Sequence, residues 1–138
     1  MLQIRRGEPG DLGEVAAIQR DCPEAAQWDA GEYPKHDFAV AVEDGDIAGF
    51  LVSRRVAPDE RELLNLAVAP LRRRQGVARK LVLAFLAECP GAIYLEVRES
   101  NRSAREFYKY VGFQEISVRY EYYQHPPEAA IVMKFHSC

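Results

Sequence analysis

Cysteine is scarce in this 138-residue chain, and Cys22, Cys89 and Cys138 are odd in number with no C-x-x-C spacing among them. That excludes a disulfide framework and offers no zinc-site pattern, so the three read as reduced thiols, and Cys138, the last residue, is assigned no role. His36, His125 and His136 show no ligand spacing either, and no metal is expected. Long apolar runs are missing, which leaves nothing to span a bilayer. The opening residues MLQIRRGEPGDLG lack the basic region, apolar stretch and small-residue cleavage site of a secretory signal, so a cytoplasmic protein is expected. Excess positive charge is absent too: the net charge is -3, against the strongly basic balance of general nucleic-acid binders. Repeats, linkers and low-complexity segments do not occur. With 48% hydrophobic and 28% charged residues, the chain reads as one domain over residues 1–138 with enough length for a real core.

What is present alternates between the two periodicities of regular structure. LQIRR reads as a short strand, and Asp11 followed by Glu14 reads as a capping-box start for a helix carrying Leu12, Val15, Ala16 and Ile18 on one side. The stretch CPEAAQWDAGEYP is broken by Pro and Gly into a loop or short helix that holds Trp28. Two β-rich runs in DFAVAVEDGDIAGFLVSRRV meet at Asp44-Gly45, a hairpin signal. After turn material in APDERE, LLNLAV reads as a strand interrupted by Asn65. A helix with Val77, Leu81, Ala84 and Phe85 follows and ends before Pro90-Gly91. AIYLEVR is a strand, NRSAREFYKYVGF a helix closed by Gly112 with Phe113 as its hydrophobic contact, and EISVRYEYY and AAIVMKF are two final strands. Strand-helix-strand units in the middle and hairpins elsewhere predict an α/β fold, with a mixed central sheet and helices on both faces.

One local feature stands against the overall negative charge. Five basic residues fall between Arg72 and Lys80, at a helix start where the macrodipole already disfavours cations. A glycine between strand and helix lets backbone approach a ligand, and the first N–H groups of the helix then point at it. A small anionic ligand, phosphate above all, resolves the conflict. The segment is neither a P-loop nor a dinucleotide fingerprint; it reads R-x-x-G-x-A, from Arg73 through Arg74, Gln75, Gly76 and Val77 to Ala78.

After a strand of the LLNLAV kind, this motif resembles the acetyl-CoA pyrophosphate loop of the GNAT-type N-acetyltransferase superfamily, whose pattern is Q/R-x-x-G-x-G/A. YLEVRESNRSAREFYKYVGF resembles the next strand and helix of that superfamily, and is especially similar to the bacterial ribosomal-protein alanine N-acetyltransferases. The ending, VRYEYY followed by AAIVM, is similar to that family's R-x-x-Y-Y and A-I-I/V-M. The likeness runs from Arg61 to Phe135. It implies a single-domain GNAT fold and direct transfer of acetyl from acetyl-CoA to a protein N-terminal amine, with the N-terminal alanine of a ribosomal protein as the first expectation. By the same resemblance, Leu66, Ala67 and Val68 bond the pantetheine arm through backbone, Arg73 to Ala78 cradle the pyrophosphate, and Asn101 touches the cofactor. Glu96 is then the general base and Tyr108 the general acid.

Those residue types suit the chemistry on their own terms. A terminal amine has a pKa near 8, so a carboxylate acting through water can take the proton lost as it attacks. A phenol of pKa about 10 stays protonated at neutral pH and can serve a departing thiolate whose conjugate acid lies near 8.5. Cys22 and Cys89 lack a motif or nearby histidine for an acyl-carrying nucleophile. Tyr120, Tyr122 and Tyr123 suit either a late aromatic strand or a peptide groove. Trp28 resembles a substrate-side tryptophan of the family, though Gln27 stands where the family has proline, and Ala69 replaces an acidic residue before Pro70. Two alternatives stay open: acetylation of lysine side chains or small-molecule amines, and a non-catalytic acyl-CoA-binding regulatory module.

Overall fold

The computed structural model describes residues 1–124 and 126–137; His125 and Cys138 lie outside the described residues. Among the described residues, seven strands and three α-helices follow one another as β1 (Gln3–Arg6), α1 (Leu12–Arg20), β2 (Asp37–Glu43), β3 (Asp46–Ala57), β4 (Glu60–Val68), α2 (Val77–Glu88), β5 (Gly91–Arg98), α3 (Arg102–Tyr110), β6 (Gln114–Gln124) and β7 (Pro127–Ser137). Strand order is β1-β2-β3-β4-β5-β7-β6. Pairing is parallel between β4 and β5 and antiparallel in β1-β2, β2-β3, β5-β7 and β6-β7. The element order and the mixed sheet are those expected from the sequence.

Two starts differ from the sequence reading. The capping box lies one turn earlier, with Glu8 as the cap of a 3-10 turn at Pro9–Asp11 and Asp11 closing it. The Asp11 carboxylate is drawn there by Arg5, which donates to both oxygens at 2.8 and 2.9 Å, and by the Glu8 N–H. Glu14 is thereby released to accept from the Ile47 N–H on β3. Strand β4 begins at Glu60, inside the segment read as a turn, because Glu60, Arg61 and Glu62 pair with Ala92, Ile93 and Tyr94.

The chain forms two compact units. The first holds residues 1–54 and 63–88. Asp44 and Gly45 both take positive φ, 53° and 81°, as a tight hairpin between twisted strands requires. Phe38, Val40, Phe50 and Val52 bury one face of β2 and β3 together with Val15 and Ile18 of α1. The opposite face meets α2: a Cβ on Gly49 would lie 3.2 Å from Val77, 3.4 Å from Leu81 and 2.8 Å from the Ala67 carbonyl. Helices therefore cover both faces here, and Gly49 is the residue that admits the second one.

The other unit holds residues 55–62 and 89–138. Ile93, Leu95 and Val97 of β5 and Ile131 and Met133 of β7 are buried, while Tyr94, Glu96 and Arg98 are half-buried on the other pleat. The helix α3 ends in a Schellman motif: the Phe113 N–H bonds the Tyr108 carbonyl at 2.8 Å and the Gly112 N–H bonds that of Lys109 at 3.1 Å. Gly112 has φ 113°, and the Phe113 ring lies 5.5 Å from the rings of both Tyr108 and Phe135. The ion pairs of Glu115 with Arg105 and Lys109 fasten the same helix to β6. No helix among the described residues is long and apolar enough to cross a membrane.

A Gly112→Ala substitution combines a positive φ with a Cβ 2.9 Å from the Phe135 ring. It is expected to cost at least about 1 kcal/mol, read as a lower urea midpoint at unchanged m-value.

Candidate active site

In the first unit the residues singled out for an anion surround the start of α2. Arg74 (φ 65°) and Gly76 (φ 78°) both take left-handed backbone, which turns the chain sharply into Val77. The first N–H groups of α2 lack intrahelical partners by geometry, and apart from its chain neighbours Gln75 and Val77 no described residue comes within 4 Å of where a Gly76 Cβ would stand. This backbone suits the approach of a phosphate. The arginine side chains divide differently from the sequence reading. Arg72 bonds Glu43 at 2.6 Å, with Asp46 3.7 Å away, and Arg73 bonds Glu24 at 2.7 Å. Two of the three cations at this helix start are thus balanced by the protein's own carboxylates, which relieves much of the conflict with the macrodipole.

Arg73 also reaches the Val68 carbonyl and the Cys22 sulfur, at 3.4 and 3.1 Å, and Cys22 donates to the same carbonyl at 3.3 Å. Burial raises the Cys22 thiol above its ordinary pKa, and the nearby Arg73 only partly offsets this. It is a poor thiolate, in line with its exclusion as a nucleophile. The Leu66 N–H is held by the Asn65 side chain at 3.0 Å.

Asn65, which the sequence presented only as an interruption of a strand, is the centre of a buried polar network. Its Nδ2 donates to the Gln19 Oε1 at 3.2 Å, the Ala26 carbonyl at 2.8 Å and the Tyr33 hydroxyl at 3.1 Å. Tyr33 donates to Gln19, and the Gln19 Nε2 donates to the Trp28 carbonyl. Gln27, though exposed, directs its Nε2 to the carbonyls of Gln19, Cys22 and Ala25. Together these bonds order the irregular segment and leave the Trp28 ring half-exposed. An amide in an apolar strand was the available signal: a buried amide is expected to be bonded on every side.

The second unit places Glu96 on β5, opposite Val132 of β7. Its Oε1 accepts from Arg119 at 2.9 Å, while Oε2 is buried with no hydrogen-bond partner. Arg119 and Arg98 lie 4.3 Å over the rings of Tyr122 and Tyr123, which meet edge-on at 5.1 Å. Burial, reinforced by the Glu96 charge, pushes Tyr123 up to about 12 and raises Tyr122 as well. Tyr120 is exposed. Of the three tyrosines, two therefore stand at the carboxylate and one does not.

Tyr108 lies on α3, buried between Phe107 and Phe113. Burial lifts its phenol above the ordinary value, which keeps it protonated at any working pH. Asn101 caps that helix, its side-chain oxygen accepting from the Ala104 N–H at 3.2 Å and the Ser103 hydroxyl at 3.4 Å. Glu128, not singled out from the sequence, bonds Arg98 and the Ser100 N–H and so fixes the turn between β5 and α3. Among the described residues no group of three His, Cys, Asp or Glu side chains could hold a metal ion.

The sequence matches the acetyltransferase (GNAT) family over residues 7–113, and the chain belongs to that family. Among its relatives, the ribosomal protein bS18-alanine N-acetyltransferase of Haemophilus ducreyi is 37% identical over 98 residues, covering 66% of this chain and 67% of that protein. The match to the Escherichia coli K12 protein of the same name covers 57% of its length. The crystal structure of the ribosomal-protein-S18-alanine N-acetyltransferase from Escherichia coli superposes with a TM-score of 0.86 at 29% identity, over 100% of this chain and 96% of that one. Ard1 from Thermoplasma volcanium does so with a TM-score of 0.88 at 28% identity, over 99% and 98%.

Replacing Asn65 by leucine removes four hydrogen bonds and costs Gln19 and Tyr33 one partner each, leaving them bonded to one another. The expected loss is about 2–4 kcal/mol in chemical denaturation. Trp28 is the sole tryptophan, so the fluorescence of the native variant should shift as its loop loosens.

Proposed function

We propose that the chain is a single cytoplasmic acetyltransferase domain that moves acetyl from acetyl-CoA to a protein N-terminal amine by direct attack, with the N-terminal alanine of a ribosomal protein as acceptor. The observation that carries the reading is the Glu96 carboxylate, held by Arg119 through one oxygen and left buried without a hydrogen-bond partner at the other. The names of the bS18-alanine N-acetyltransferases support the acceptor, since they match the chain from both sequence and structure.

Acetyl-CoA fits the residues present, because the left-handed turn at Arg74 and Gly76 aims backbone at an anion. When bound, it supplies an acetyl thioester. Gln75 to Ala78 would hold the pyrophosphate mainly through backbone, with Arg74 as the cation of the loop, since Arg73 is engaged by Glu24. Leu66 to Val68 would run beside the pantetheine arm, and Asn101 retains its amide nitrogen for the ligand while its oxygen caps α3. Glu96 Oε2 takes the proton that the attacking amine loses, directly or through one water. Tyr108 stays neutral and gives its proton as the carbon-sulfur bond breaks; its raised pKa makes transfer to a free thiolate uphill, so donation is concerted with cleavage. Two proton transfers of this kind are each worth about 100- to 10,000-fold in rate.

Incubation with acetyl-CoA and a panel of peptides, some with a free N-terminal alanine and others with only a lysine amine, tests the acceptor by mass gain. Acetylation confined to free alanine N-termini is the expected result. Labelling of lysine alone overturns the N-terminal reading, and acetyl-CoA binding without transfer to any amine overturns the enzymatic one.

A further inference from the structure

The sequence reading gave Arg119 no task, yet it bonds the Glu96 carboxylate, beside a tyrosine, Tyr122, that also interacts with that carboxylate. Its Nη1 donates to Glu96 Oε1 at 2.9 Å, and its guanidinium lies 4.3 Å over the Tyr122 ring. An arginine so placed is restrained twice, through a hydrogen bond directed at one oxygen and through stacking, which a flexible lysine cannot reproduce. The backbone is shaped for this. Along β6 and β7, Arg119 pairs with Ala130 and Tyr123 pairs with Glu128, so three residues, Tyr120 to Tyr122, stand opposite Ala129 alone. Glu121 at the centre has φ 56°, a strained value for a non-glycine residue.

The bulge has a consequence for direction. In a regular strand Tyr122 would alternate with Tyr123 and point to the other face. Here Tyr122 stacks on Arg119, Tyr123 stacks under Arg98, and both feel the Glu96 charge. The irregularity brings two aromatic rings and two cations around one carboxylate. Bulges re-aim side chains in this way next to active sites.

We propose that Arg119 is a positioning residue for acyl transfer. By occupying Oε1 and stacking on Tyr122, it fixes the Glu96 rotamer so that Oε2, buried and unpartnered, is the sole oxygen offered to the attacking amine or its bridging water. This rests on Glu96 acting as the base. A free carboxylate on a strand would rotate and present either oxygen, or bond the acceptor ammonium in unproductive poses; a held one keeps a single proton-accepting direction.

The test is steady-state kinetics of Arg119→Gln, Arg119→Ala and Arg119→Lys beside the wild type, using whichever amine the wild-type protein acetylates, with acetyl-CoA affinity measured by calorimetry. Arg119→Gln and Arg119→Ala should lose about 10- to 100-fold in kcat, with the acetyl-CoA Kd within about twofold. Arg119→Lys should recover part of the loss, and added guanidinium ion should partly restore Arg119→Ala but not the wild type. A merely structural role predicts no such rescue. A kcat within twofold of wild type in Arg119→Gln overturns the inference, as does a loss confined to KM. Transfer by the wild type to lysine or small amines overturns the proposed acceptor while leaving the comparison of Arg119 variants intact. No transfer by the wild type to any amine overturns both.

Discussion

Burying one oxygen of a carboxylate without a partner is costly, because a desolvated polar atom forfeits the hydrogen bonds water would give it. Glu96 bears that cost on a central strand, and much of the second unit can be read as what makes it tolerable. Arg119 supplies the compensating charge to the other oxygen, and the bulge of β6 brings Arg119 and Tyr122 to it. Glu128 holds the turn that leaves β5, and the Schellman end of α3 locks Tyr108 against Phe113. The neighbouring charges and bonds leave Glu96 Oε2 without a hydrogen-bond partner. Natural proteins accept such local cost at sites of function and offset it elsewhere.

The first unit shows the complementary strategy, in which polar groups are satisfied so that backbone can be offered. Asn65, Gln19 and Tyr33 bond one another and the carbonyls around them, which orders an irregular segment that propensity alone would leave mobile. Arg72 and Arg73 are balanced by Glu43, Asp46 and Glu24. What remains for a ligand at the start of α2 is chiefly backbone, in a turn that Gly76 makes possible, together with the exposed Arg74. An anion site built from N–H groups and a helix dipole needs little side-chain charge.

Much of this was legible in the sequence. Period-2 and period-3.6 runs gave the order of every strand and α-helix, and Asp44-Gly45 and Gly112 marked their turns because few residues tolerate the backbone they require. Glu96, Tyr108 and the glycine loop stood out through their motifs. The rest depended on long-range partners that spacing does not reveal. Which carboxylate Arg73 meets is set by a loop some fifty residues earlier, and the capping role of Asp11 was captured by Arg5 from β1. Arg119 lies in a strand whose regular alternation would have sent Tyr122 away from it, and only the bulge at Glu121 reverses that.

The central claim is that the unpartnered oxygen of Glu96 receives the proton of the attacking amine. Its most direct test is single-turnover kinetics of Glu96→Gln, an isosteric change that removes the base, with acetyl-CoA affinity measured on the same sample. The account predicts a transfer rate lower by about 100-fold or more, with acetyl-CoA bound as tightly as by the wild type. A variant that binds acetyl-CoA normally and transfers acetyl at the wild-type rate would contradict it.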